Sequence, residues 1–327
     1  MDPAKAEQVI QAFQQITRII HTSEVGVFTP SMTLLEKSIK PSEVPFIKKD
    51  AAGRALFFIQ QGKAGVDIGQ PERIILSVNK TVGEMSMVST MLNTFDNIGA
   101  IDSRLADVYC EEPLRVLVFN YSPIVEIMED ENPEFRKYRH QVLICLNRIM
   151  YRKLMDVNQN YLNVLMSMSI EHEIEPFYCP SQLKECLSNF LKKMRSIPKM
   201  SVSPHELRGV LIQEGQPNTA IIFIEKGTLK VSSLIKDELL EEEERVYLNT
   251  IEAPMVVGES SVLNIGAISA AQVETDPEEK TIGYKVEVQS LLRHMQTYPD
   301  LIEDFFKNLL QLNYFRAIHM MQMTTNL

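Results

Sequence analysis

Apolar positions along the chain follow two spacings, one suited to helices and one to strands. Residues 3–20 place Val9, Ile10, Phe13, Ile16, Ile19 and Ile20 on one face at helical spacing, which predicts an amphipathic helix. Asn132-Pro133 opens a second helical segment that runs to about residue 170, with proline in the first turn, where no N–H is needed. Residues 181–196 set Leu183, Leu187, Phe190, Leu191 and Met194 on one face, between a Pro180-Ser181 start signal and a Pro198 stop. A last helix opens at Tyr298-Pro299-Asp300 and runs to about residue 323. Between these segments lie β-rich runs, with strands predicted at 56–60, 116–119 and 221–225.

The β-rich runs repeat. ALFFIQQGKAGV (55–66) aligns without gaps on AIIFIEKGTLKV (220–231), an offset of 165 residues counted from 55 to 220. Each is a β-rich run, a glycine turn and a second alternating run, which reads as a β-hairpin. TVGEMSMV (81–88) matches VVGESSVL (256–263) at an offset of 175, from 83 to 258, and RLADV (104–108) matches SAAQV (269–273) at 165 again. Two length changes follow. The second copy is ten residues longer in the acidic stretch KDELLEEEER (236–245), and the first is ten longer in MLNTFDNIGAID (91–102). Insertions that keep flanking strands in register belong in surface loops. The chain is read as two copies of one β domain, as its 327 residues also suggest.

Composition narrows the function. With 45% hydrophobic and 23% charged residues the chain reads as soluble and folded, and a net charge of −10 argues against nucleic acid or an anionic membrane as partner. Its longest stretches without a charged residue, 157–170 and 260–273, are too short to span a bilayer, so no membrane insertion is expected. The charged start MDPAKAEQ is not a secretory signal. Cys110, Cys145, Cys179 and Cys186 form no CxxC pair and read as reduced thiols of a cytoplasmic protein. The histidines (His21, His140, His172, His205, His294, His319) show no metal-binding spacing, so no metal site is expected. No nucleophile–base arrangement is visible, so no enzymatic activity is expected.

The glycine-turn β run, the Gly-Glu pair and the Arg-x-Ala-x-Val sequence together make each copy resemble a cyclic nucleotide-binding domain. This is the jelly-roll module of the catabolite activator protein and of the regulatory subunits of cyclic-AMP-dependent kinase. The resemblance covers 36–164 and 206–321, most of the chain. It implies an α+β fold, mainly β with flanking helices: an N-terminal helix (1–30), a first domain with a long C-terminal helix (31–172) and a second domain (173–327).

The resemblance also implies roles. Gly83 lets the backbone approach a ligand, Glu84 accepts a ribose hydroxyl, and Met85 and Ser86 offer backbone N–H groups. Arg104 pairs with the cyclic phosphate, helped by the Leu105 amide. The physics agrees, because a guanidinium fork matches two phosphate oxygens and a helix start supplies further donors. The ligand implied is cyclic AMP or cyclic GMP; no cofactor is. Arg104 stands twenty residues beyond Glu84, further than the family places it, so the inserted residues fold over the pocket, fill it or remodel it. An internal Glu84–Arg104 ion pair with no ligand is the alternative. The corresponding second-copy positions are Gly258, Glu259, Ser260, Ser261, Ser269 and Ala270. Ser269 stands where the arginine belongs, and no arginine occurs between Arg245 and Arg293. Glu259 without a cation would repel a phosphate, so this site is read as degenerate.

These features predict a non-enzymatic signalling protein that responds to cyclic nucleotide in its first domain and acts on another signalling protein in trans. A ligand-independent interaction scaffold is the alternative. Glu241–Glu244 reads as a solvated loop or a docking surface for a basic partner. Heptad positions Leu143, Asn147, Met150, Leu154, Val157, Tyr161, Val164 and Met168 predict a homodimer seam on the long helix, with Asn147 fixing register. Leu146, Ile149, Leu162 and Leu165 form a second face available to cover the chain itself.

Overall fold

The computed structural model describes residues 1–22, 34–69, 72–96, 103–168, 176–177, 179–197, 203–236, 243–264 and 267–326. Met168 lies within this set, but residues 97–102 of the first insertion, 237–242 of the acidic stretch, His172 and most of the expected 171–180 boundary lie outside it. Two compact units emerge, Met1–Arg152 and Lys153–Leu327. The division falls inside a continuous helix, about twenty residues before the expected start at 173, because no loop separates the copies there.

The first unit contains α1 (Pro3–Thr22), β1 (Leu34–Ile39), β2 (Ala55–Gln61), β3 (Ala64–Asp67), β4 (Ile74–Leu76) and β5 (Thr81–Val82). It continues with α2 (Glu84–Asp96), β6 (Asp107–Cys110), β7 (Leu114–Asn120), α3 (Ser122–Glu129) and α4 (Arg136–Met168), whose later half belongs to the second unit. Its antiparallel strands form two sheets, β1-β7-β2-β5 and β4-β3-β6. Between the sheets lie Ile47, Ile59, Ala64, Val82, Val108, Cys110, Leu114 and Val116, the inward positions of the alternating runs. α1 buries Val9, Ile10, Phe13, Ile16 and Ile20 of its predicted face, and Phe13 stacks on Phe119 of β7 at 5.2 Å between centroids.

The second unit adds α5 (Ser181–Ser196), β8 (His205–Leu207), β9 (Val210–Ile212), β10 (Ala220–Lys226), β11 (Thr228–Lys236), β12 (Glu243–Glu252) and β13 (Met255–Val257). It ends with α6 (Ser260–Leu263), β14 (Gln272–Thr275), β15 (Thr281–Glu287), α7 (Val288–Thr297) and α8 (Pro299–Asn326). Its sheets run β8-β15-β10-β13 and β12-β11-β14-β9, the order of the first unit with one strand more. Even irregularities recur: the bulge between Ile59 and Gln61 against β7 returns between Ile224 and Lys226 against β15. The three predicted strands lie within β2, β7 and β10, and the repeat is a repeat of topology.

Two expectations are corrected. The glycine-turn runs are not hairpins. β2 pairs with β5 and β7, whereas β3 pairs with β4 and β6, so the chain crosses between sheets at Gly62, as β10 and β11 do at Gly227. Gly62 holds φ of 84°, and a Cβ there would stand 2.2 Å from the Pro113 carbonyl oxygen. Alternation identifies strand faces, not strand partners. The second correction concerns the heptad stripe on α4. Leu143, Asn147, Met150, Leu154 and Tyr161 are buried within the single chain, and Val157 and Val164 are half-buried. Leu146, Ile149 and Leu162 are buried as well, and Leu165 is half-buried. Asn147 turns its amide Nδ2 to the Leu143 carbonyl of its own helix at 2.8 Å.

Candidate functional site

In the first β-roll the site is built where β5 ends. Gly83 turns the chain at φ of 94°, and Glu84 begins α2, a thirteen-residue helix. Residues 91–96 of the first insertion therefore lengthen this helix. Met87, Val88, Met91 and Leu92 are buried along α2, which binds it into the unit. Its first turn carries Glu84, Met85 and Ser86, whose backbone amides have no carbonyl four residues back within the helix. Glu84 and Ser86 are each only 2% exposed.

Arg104 arrives from the other side. Its N–H donates to the Ala51 carbonyl at 2.9 Å, and its own carbonyl accepts from the Asp50 N–H at 2.9 Å. The side chain runs inward, where Nη1 donates to the Gly83 carbonyl at 3.1 Å and Nη2 to the Ala55 carbonyl at 2.7 Å. A Cβ on Gly83 would stand 2.1 Å from Nη1, and one on Gly53 would stand 2.8 Å from Nε and 1.8 Å from Ser86 Oγ. Burial lowers the Arg104 pKa, and attraction from Tyr121 and Glu84 partly restores it. Leu105 is half-buried beside it. A buried, backbone-anchored cation facing a helix N-terminus is suited to a small anion.

The second β-roll keeps the frame and changes the contents. The Ser269 N–H donates to the Gln216 carbonyl at 3.0 Å, and its carbonyl accepts from the Gly215 N–H at 2.8 Å, each bond 165 residues on from one at Arg104. Gly258 holds φ of 84° and Glu259 again follows, but α6 spans four residues only. Ser260 is buried, while Ala270 is exposed. The Ala220 carbonyl accepts from Asn218 Nδ2 at 2.8 Å and from Ser261 Oγ at 3.1 Å. Ser261 Oγ also donates to the Gly258 carbonyl at 2.5 Å.

Glu259 is not left without a cation. Arg316 of α8 donates Nη1 to Glu259 Oε1 at 2.6 Å and Nη2 to the Val256 carbonyl at 2.9 Å, with both side chains buried. This corrects the expectation of an uncompensated carboxylate, which rested on arginines near in sequence. The signal was present, since Arg316 is the only Asp, Glu, Lys or Arg from Asn308 to Leu327. Asn218 was missed too, although the ungapped repeat sets it opposite Gly53. Elsewhere, burial raises the Cys145 and Cys179 thiols to about 11. Among the described residues no three histidine, cysteine or acidic side chains group as metal ligands, and no helix is long and apolar enough to cross a membrane.

No family model matches the chain, and no curated protein matches it. Among solved structures it is similar to the cAMP-bound regulatory domain of PKA from Toxoplasma gondii, at 14% identity and a TM-score of 0.25 over 92% of this chain and 96% of that one. It is also similar to the guanosine-bound regulatory subunit of a cAMP-independent protein kinase A from Trypanosoma cruzi, at 16% identity and a TM-score of 0.27 over 92% and 87%. A cyclic nucleotide-binding-like protein from Brucella abortus matches at 15% identity and a TM-score of 0.26, over 33% of this chain and 84% of that one. By its own repeated strand order and its two Gly-Glu helix starts, the chain is a tandem of two β-rolls.

Proposed function

We propose that this chain is a non-enzymatic, cyclic-nucleotide-responsive regulator that takes its ligand in the first β-roll and acts on another signalling protein in trans. The observation that carries this reading is the Arg104 guanidinium, held by the Gly83 and Ala55 carbonyls beside Glu84 and the first turn of α2. Those bonds occupy two of the five N–H donors of the group, and the others are suited to a cyclic phosphate. Glu84 would accept the ribose hydroxyl. Ligand would favour one packing of the helices that follow the roll, and a partner would sense that packing. The second β-roll is a filled copy, because Asn218, Ser261 and Arg316 satisfy its carbonyls and its carboxylate from within. A homodimer remains part of this reading, although Leu143, Met150, Leu154 and Tyr161 of its expected seam are buried in the chain itself.

Calorimetry with cyclic AMP, cyclic GMP, cyclic dinucleotides and guanosine as the phosphate-free control tests this reading. One equivalent of a cyclic nucleotide per chain is expected, and Arg104→Ala should weaken it at least about tenfold, as loss of a charged hydrogen bond does. The second reading, a ligand-independent scaffold, is favoured by the 7% exposure of Arg104 and its internal bonds. Silence with every compound would select it.

A further inference from the structure

Each β-roll has one buried space above the glycine of its Gly-Glu pair, and the two copies fill it with different groups. In the first roll a Cβ on Gly83 would meet Arg104 Nη1 at 2.1 Å, and in the second a Cβ on Gly258 would meet Asn218 Nδ2 at 2.8 Å. Both groups serve an equivalent carbonyl: Nη2 of the same Arg104 guanidinium donates to Ala55, and Asn218 Nδ2 donates to Ala220. The backbone at Arg104 and Ser269 is held by the same pair of hydrogen bonds, so the two side chains start from equivalent backbone. Asn218 occupies the position that Gly53 holds in the first roll. There, any Cβ would strike Ser86 Oγ at 1.8 Å and Arg104 Nε at 2.8 Å.

We infer that the residue two places before β2 or β10, Gly53 or Asn218, decides whether its roll keeps a guanidinium for an anionic ligand or is sealed by a neutral amide. Gly53 leaves room for Arg104. Asn218 takes that room, bonds the Ala220 carbonyl and donates no charge, and Ser269 is short enough to allow it. The serine of the following helix adapts: Ser261 turns its hydroxyl to the Ala220 and Gly258 carbonyls, whereas Ser86 Oγ has no hydrogen-bond partner among the described residues. Two positions thus work as a pair in each roll, Gly with Arg or Asn with Ser. The assignment of an anion to the first roll rests on the function proposed above. The pairing itself does not.

The test uses the full chain and two readouts, thermal unfolding and calorimetry with cyclic AMP and cyclic GMP. Ser269→Arg with Asn218 in place should lower the Tm by about 4 °C or more, the scale of overpacking a buried site in a unit of this size. Adding Asn218→Gly should recover at least half of that loss. Reciprocally, Gly53→Asn should lower the Tm and weaken cyclic nucleotide binding at least about tenfold. Gly53→Asn with Arg104→Ser should recover Tm without recovering binding. Additive effects in both rolls, or a Ser269→Arg chain as stable as the parent, would overturn the inference. Non-additive stability in a chain that binds neither nucleotide would uphold the pairing and overturn the proposed function instead.

Discussion

In the first β-roll the carbonyls of Ala55 and Gly83 end on one buried guanidinium, while in the second their counterparts, Ala220 and Gly258, end on an amide and a hydroxyl. Both solutions satisfy the same backbone oxygens, as a buried polar group requires. They differ in charge. The first leaves a cation beside a helix start, and the second leaves a neutral plug and pairs its one carboxylate, Glu259, with Arg316 from the far end of the chain. One strand order can thus carry a buried guanidinium in one copy and a neutral amide in the other.

The strongest way to break this comparison is Arg316→Ala. It strands Glu259 in a buried site and should cost the second unit about 3–5 kcal/mol in urea unfolding. Replacing both residues by methionine should cost much less, and a loss under about 1 kcal/mol for Arg316→Ala alone would mean that the pair does not hold α8 to the roll.

Alkaline pH loads the two units alike. Cys145 in the first unit and Cys179 in the second keep neutral thiols to about pH 11 when folded, against an ordinary value near 9. The unfolded chain loses these protons first, so their stabilising effect is full below about pH 9 and lost as pH rises towards 11. For Cys145 the loss is about 2–3 kcal/mol. Cys145→Ala should flatten the decline of stability across that window, measured as urea midpoint against pH.

Arg104→Ala should cost about 1.5–3 kcal/mol in ligand binding and leave the second roll unchanged, as read by calorimetry and by exchange of the β10 amides. Ser269→Ala should do least. Its Oγ is buried with no hydrogen-bond partner among the described residues, so its removal should shift stability by no more than about 0.5 kcal/mol in either direction. A larger loss would show that Ser269 holds more than space.

Much of this was legible in the residues, and the misses have specific causes. The repeat at offset 165 located β2 and β10, and Gly-Glu located the starts of α2 and, one residue on, α6. Yet the glycine-turn runs belong to opposite sheets, because alternation marks an inward face without naming the strand alongside. The heptad stripe of α4 was real as a periodicity, but period does not say what covers it, and Leu143, Met150 and Tyr161 are covered by their own chain. The cation for Glu259 lies 57 residues away in sequence, beyond any local motif.

The sequence by itself determined that two β domains repeat, that each opens a helix with Gly-Glu, and that only the first carries an arginine at the closing strand. Periodicity and short motifs are local, and backbone conformation obeys local sterics closely enough for them to be read directly. Only the tertiary structure decided where the polar groups end: Arg104 on Ala55 and Gly83, Asn218 on Ala220, and Arg316 on Glu259. Burial makes each of those pairings obligatory. Which partner satisfies a buried group depends on what the fold brings within hydrogen-bond reach, and along the chain those partners stand from two to 57 residues apart.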